Sequence, residues 1–194
     1  MASNRQDLLS HPGPLEASQW PLPKQQSMFS FRPGPIPHVP QTVGTPFDGA
    51  TGPAETGAFP PDTMGAVGPT QFFVFLNGRL RTFNKTSGVA DGVLDTSSNV
   101  FFAAVLTPAG AGTVTITSNP QVRYDRLSAR WFLVMLDGTF NTSTGATMQP
   151  NRVLIAVSDA ASNGNVTGST VWTLYQFQAD ASLFAKDASL GIDR

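Results

Sequence analysis

Carboxylates and histidines are the side chains of this chain that could perform hydrolytic chemistry, so their spacing is the first question. A glycosidase needs two carboxylates about 5–10 Å apart. Single aspartates are instead scattered along the chain, among them Asp62, Asp91, Asp95, Asp159 and Asp193. Both glutamates, Glu16 and Glu55, and both histidines, His11 and His38, precede residue 59. We therefore predict no catalytic residue, no Ser-His-Asp triad and no histidine-based zinc site.

Asp62 lies in the turn-rich stretch "FPPDTMGAVGP", which could open a catalytic site or simply start a β-sheet. An Asp-Thr pair after two prolines is typical of a turn in which the side chains bond to the backbone. We interpret the stretch as the entry to a sheet. A calcium site built from aspartates and backbone carbonyls stays open as an alternative, although no Asp-rich loop indicates one. No other cofactor is expected.

Composition limits the function classes. The chain has 194 residues, a net charge of −1, 13% charged residues and no cysteine, so neither nucleic-acid binding nor thiolate chemistry is expected. The stretch from Asn99 to Thr117 is apolar, but Pro108, Gly110 and Gly112 interrupt it. We read it as buried strand, loop and strand, and we expect no membrane span. Met1–Ser10 is polar, and no signal peptide is visible in this chain.

Residues 1–58 form the first of two predicted regions, because prolines are concentrated there. Proline fixes φ and removes a backbone donor, so the region is expected to be an extended, partly polyproline-like arm. A solvated, disordered leader is the alternative. Large apolar residues favour an arm that lies on a partner surface, and the predicted partner-binding residues are Trp20, Phe29, Phe31, Ile36 and Phe47.

Residues 59–194 form the second predicted region, which is all-β. "QFFVFLNGRLRTFN" reads as two strands joined by an Asn77-Gly78 turn. Later strands are predicted at about 121–125, 130–136, 152–158 and 170–177, in one up-and-down antiparallel sheet of the kind found in a propeller blade. The earlier pair belongs to a preceding sheet, and "DASLGIDR" is expected to begin another. The predicted fold is a partial, propeller-like β-domain behind a proline-rich arm.

One hairpin, "RYDRLSARWF", contains the clearest packing residues. Trp131 and Phe132 lie in a continuously apolar strand and are expected to pack between blades. Asp125 is expected to pair with Arg126 or Arg130 and so fix the turn.

Several segments resemble a group of bacterial, mostly secreted or cell-surface β-propeller proteins. "PPDTMGAVGP" resembles their PPDT-x-G-x-VGP signature, and "NPQVRYDRLSARW" resembles their D-P-x-V-x-YD-x-x-x-x-RW strand pair, with Asn119 in place of aspartate. "LFAKDASLGID" is similar to their F-x-DYP-x-LG-x-D stretch, with Ala188-Ser189 in place of Tyr-Pro. The resemblance covers about residues 59–194. It implies a propeller fold and an extracytoplasmic or cell-surface location, and it implies no reaction.

Two functions remain open from the sequence. The first is a non-catalytic structural or binding subunit that docks on other protein subunits or on further propeller blades. The second is the N-terminal part of a propeller enzyme, such as a sialidase-like hydrolase, whose active site would need further blades. The stretch "SDAASNGNVTGSTVW" loosely resembles a stretched Asp-box, but that motif is a turn device and does not indicate catalysis. A chain with about two blades would leave apolar sheet faces bare, so an oligomer or a complex is expected.

Overall fold

The computed structural model describes residues 44, 46–57, 62–148, 150–178, 185 and 187–192. The described chain contains two four-stranded antiparallel sheets in simple up-and-down order. Sheet A consists of β1 Thr63–Val67, β2 Gln71–Leu76, β3 Arg79–Asn84 and β4 Ala90–Thr96. Sheet B consists of β5 Thr113–Asp125, β6 Arg130–Asn141, β7 Val153–Ser158 and β8 Trp172–Phe177. The all-β prediction is confirmed, and neither sheet closes into a barrel or ring.

The predicted hairpin of sheet A is confirmed, with its turn at Asn77-Gly78. Of the two turn residues, Gly78 has a positive φ, 83°, and Asn77 does not. A Cβ atom on Gly78 would lie 1.8 Å from the Thr56 carbonyl oxygen. Glycine is therefore required both for the turn and for the close passage of the preceding segment.

The predicted four-strand order of sheet B is also confirmed, but β5 is longer than expected. It begins at Thr113 and contains a register shift between Ser118 and Gln121, with Asn119 at φ 55°. The extra residue changes which alternate positions are buried. Odd-numbered residues, Thr115 and Thr117, are buried before the shift, whereas the even-numbered Val122 is buried after it. The bulge thus lets one long strand pair with β6 on both sides of the register shift.

Two short helices depart from the sequence expectations. The first predicted strand of the 99–117 stretch is wrong, because α2 Ser98–Phe101 is helical. The Ser97 hydroxyl accepts a hydrogen bond from the Val100 backbone N–H and starts this turn, which places Phe102 in the core. In the region expected to be an extended arm, α1 Gly52–Thr56 is also helical, with proline in its first turn and a left-handed Gly57 at its end.

The main core lies between the sheets, where both contribute fully buried side chains such as Phe73 and Leu133. Trp131 is 0% exposed, as predicted, and its ring centroid lies 5.3 Å from that of Phe73. Its indole Nε1–H donates to the Gly164 carbonyl at 2.8 Å, and its backbone N–H donates to the Ser158 hydroxyl. The tryptophan therefore joins sheet A, sheet B and the β7–β8 connection.

A buried amide provides a second link between the sheets. Gln71, at the start of β2, accepts the Val166 backbone N–H at 2.7 Å and donates to the Val166 carbonyl at 3.0 Å. The same side-chain amide donates to Asp91 at 2.6 Å. Both polar ends of Gln71 are satisfied, as a buried amide requires.

The two α-helices in the described part of the chain have 5 and 4 residues, and no described helix has the length or apolar character of a membrane-spanning helix.

Candidate interaction surfaces

The outer face of sheet B, the face turned away from sheet A, is apolar across three strands. Side chains directly opposite each other in antiparallel strands share a face, and the strand register places two rows there. The rows run across β6, β7 and β8 and consist of Val134, Ile155 and Tyr175, and of Leu136, Val153 and Phe177. The face therefore continues to the free edge of the sheet at β8.

A C-terminal segment covers only part of this face. Ala188 and Leu190 pack against Val134, Leu136 and Val153. The Asn119 side-chain amide donates to Asp187 at 2.9 Å and holds the start of the segment at β5. Residues 187–192 are not a strand, so the expected start of another sheet is present only as a packed, irregular segment.

The β8 side of the face is open in the described structure. Tyr175 is 54% exposed and Phe177 is 50% exposed, while their neighbour Ile155 is half-buried. Large apolar side chains that lie together at a sheet edge are unusual unless something packs on them. The exposed tyrosine and phenylalanine, with Ile155, form the strongest candidate docking surface of the described residues.

The corresponding outer face of sheet A is covered by the chain itself. Val74, Leu76 and Phe83 form a cluster on that face, and Ala50 packs on it. The Phe47 ring lies 4.8 Å, centroid to centroid, from Phe83. Residues 46–57 thus form a strap across this face.

An ion-pair cluster fixes the strap. Arg81 donates to Glu55 at 2.9 Å, to Asp95 at 3.1 Å and to the Gly49 carbonyl at 3.2 Å. The Arg81 hydrogen bonds, followed by the Thr51 backbone N–H, lower the pKa of Glu55 to about 2. The guanidinium therefore binds the ionised strap carboxylate, which reaches it from a single helical turn.

The predicted partner-binding residues are only partly within the described chain. Phe47 contacts the strands of its own chain, with its ring against Phe72 and Phe83, and remains 40% exposed. Trp20, Phe29, Phe31 and Ile36 lie outside the described residues, so their role in partner binding stays a prediction.

Three of the acidic residues weighed as catalytic candidates, Asp91, Asp95 and Asp159, are held by structural contacts. Asp91 accepts from Gln71 and Thr82, and Asp95 pairs with Arg79 at 2.6 Å. Asp159 accepts a hydrogen bond from the Val171 backbone N–H across the β7–β8 connection. Asp62 lines a cleft of about 640 Å³ beside the β2–β3 turn, and Asp193 lies outside the described residues.

No group of three or more His, Cys, Asp or Glu side chains that could hold a metal ion occurs among the described residues.

The expected ion pair of Asp125 with Arg126 or Arg130 is not what fixes the β5–β6 turn. Asp125 instead accepts hydrogen bonds from the Ser128 hydroxyl and from the backbone N–H groups of Leu127 and Ser128. These hydrogen bonds lower its pKa, with the Ser128 hydroxyl as the largest cause. The carboxylate is closer to backbone donors in the tight turn than to either guanidinium, which leaves the arginines available to other groups.

Sequence reasoning missed the candidate surface at β8, although a signal was present. In "STVWTLYQF" all residues from Val171 to Phe177 are apolar or threonine except Gln176, so both faces of the strand carry such residues. That pattern is expected of a strand with both faces covered.

Comparison of the chain with protein-family models, with curated proteins and with solved structures found no match in any of the three.

Proposed function

We propose that this chain is a non-catalytic binding module, a pair of propeller-like sheets that docks through the outer face of sheet B. The occupant of that face is a further β-sheet, supplied by a partner chain or by additional blades. The observation that carries the proposal is the contrast between two equivalent faces. The strap covers the outer face of sheet A, whereas Tyr175 and Phe177 on sheet B are half exposed.

The packing around β5 supports a blade-like arrangement. On one side of sheet B, β1 of sheet A packs beside β5. On the other side, residues 187–192 also lie beside β5, through Asp187 and Leu190. We infer that this segment lies where the first strand of a third blade would lie. The remaining strands of such a blade would cover Ile155, Tyr175 and Phe177.

The setting of the module is proposed from the resemblance to secreted and surface propeller proteins, which favours an extracytoplasmic location. A non-catalytic role agrees with the carboxylates, since Asp91, Asp95 and Asp159 are each held by neighbouring donors. A general acid or base needs a carboxyl that can reach a substrate proton.

Sedimentation velocity of the isolated chain tests the proposal. An exposed apolar face should drive self-association at micromolar concentration, because no partner covers it. The double variant Tyr175→Ser, Phe177→Ser should be more monomeric than the wild type. The matched control is Val89→Ser, Val100→Ser, which removes side chains that are 63% and 68% exposed and lie off this face.

Two results would count against docking through sheet B. The first is a wild-type chain that stays a cooperatively unfolding monomer throughout the micromolar range. The second is a control double variant that reduces association as much as the Tyr175 and Phe177 double variant does.

A further inference from the structure

A second surface lies at the end of sheet B, where the β5–β6 turn faces the C-terminal segment. Arg123, Tyr124 and the turn residues 125–127 form one wall of a cleft, and residues 190–192 form the other. The cleft has a volume of about 650 Å³, which is enough for several side chains of a peptide.

The described lining of this cleft carries an excess of positive charge. Two guanidinium groups, those of Arg123 and Arg126, face a single carboxylate, Asp125. That carboxylate is engaged by Ser128 and by the Leu127 N–H. The ion pairs among the described residues all lie at Arg79 and Arg81 on sheet A, so no described carboxylate pairs with Arg126.

The guanidinium groups retain donors for a ligand. Arg123 uses one nitrogen, Nη1, to donate to the Val122 carbonyl at 2.8 Å. Arg126 lies exposed at the turn and donates to no described residue. A guanidinium presents five N–H donors in a planar fork that matches a carboxylate. The cleft therefore offers directed donors as well as charge.

Apolar side chains next to these charges narrow the ligand class. Leu127 is 80% exposed, more than any other large apolar residue of the described chain, and it follows Arg126 directly. Ile192, on the opposite wall, is 37% exposed. A bare inorganic anion would leave both uncovered. A peptide that carries carboxylates around an apolar side chain would satisfy the charge and cover the apolar surface together.

We infer that this cleft binds an acidic peptide segment of a partner protein. Carboxylates of the peptide pair with Arg126 and Arg123, and an apolar side chain between them packs on Leu127 and Ile192. Nucleic acid fits this cleft less well. The whole chain has a net charge of −1, and the two arginines lie beside aliphatic side chains rather than in a continuous basic patch that could contact several phosphates.

Fluorescence anisotropy with a labelled Glu-Glu-Leu-Glu-Glu peptide and the full chain tests this binding. Saturable binding that weakens as salt rises is expected. Arg126→Ala should weaken it by about tenfold or more, the usual effect of losing a charge-assisted hydrogen bond. Leu127→Ser should weaken it as well. Arg152→Ala is the matched control, because it removes the same charge immediately before β7, at a position that does not line the cleft.

Specificity is tested with a Gln-Gln-Leu-Gln-Gln peptide, which should bind at least about tenfold more weakly. Circular dichroism verifies that each variant is folded. Four results would overturn the proposal: no saturable binding by folded wild-type chain at millimolar peptide, equal weakening by Arg152→Ala, equal affinity for the glutamine peptide, or tighter binding of single-stranded DNA. Peptide binding that persists in the Tyr175 and Phe177 double variant would separate this site from docking of the outer face.

Discussion

Trp131→Ala should be the most damaging single substitution between the two sheets. The indole is fully buried, and its centroid lies 5.3 Å from that of Phe73 and 4.9 Å from that of Tyr124. Emptying a tryptophan site costs about 3–5 kcal/mol. The Gly164 carbonyl also loses its indole donor, which adds about 1–3 kcal/mol. The sum, about 4–8 kcal/mol, is comparable with the whole stability of a domain, about 5–15 kcal/mol.

Urea denaturation followed by far-ultraviolet circular dichroism measures this effect without using the mutated tryptophan as the probe. Trp131→Phe keeps a ring but removes the donor, so it should cost about 2–3 kcal/mol and yield a complete transition. Trp172→Phe is the control, because that side chain is only half-buried, and it should cost less than about 1.5 kcal/mol. A loss under about 1 kcal/mol for Trp131→Ala would refute the assigned role of the indole.

Three further substitutions test the contacts that hold the sheets and the strap. Gln71→Leu should destabilise the chain by about 1–3 kcal/mol in urea, because it leaves the Val166 N–H and carbonyl unpaired, and an unchanged midpoint would contradict this. Gly78→Ala, at φ 83° and 1.8 Å from the Thr56 carbonyl, should speed hydrogen exchange of the strap, whereas unaltered protection would show that the strap does not need this close passage. Glu55→Gln should loosen the strap at neutral pH, as measured by limited proteolysis. The folded pKa of Glu55 is depressed to about 2 from 4.5, so the carboxylate stabilises above pH 4.5 and this stabilisation is lost as pH falls through about 2. The variant and wild type should therefore converge below pH 2, and a difference that persists there would refute the ionic role.

The strands with strong local signals could be predicted from the sequence. The Asn77-Gly78 hairpin and the four-strand order of sheet B follow from turn residues placed between apolar runs. The burial of Trp131 follows from its place in an unbroken apolar strand. These features depend on neighbours close in sequence, so the pattern alone is sufficient.

Other parts of the fold depend on contacts that a local pattern does not encode. Helix α2 has only 4 residues, and it is stabilised by the Ser97 cap and by the burial of Phe102. A helix this short shows no helical periodicity, so its apolar sequence reads as a strand. The bulge between Ser118 and Gln121 changes the buried face of β5. Pro120 lies within it, but a proline alone does not tell how the register to β6 shifts. The candidate surface at Tyr175 could be recognised only after the register placed it beside Ile155.

The strap has a consequence for symmetry. Because it covers the outer face of sheet A, the module presents its apolar outer face on one side only. A head-to-tail filament needs two different complementary surfaces on each copy, whereas a single self-complementary surface generates a twofold pair. Copies that associate through Tyr175 and Phe177 would therefore stop at a closed dimer, and a partner sheet on that face would exclude the second copy. Coverage of sheet A by the strap would therefore limit assembly through this face to two copies, or to one copy with one partner sheet.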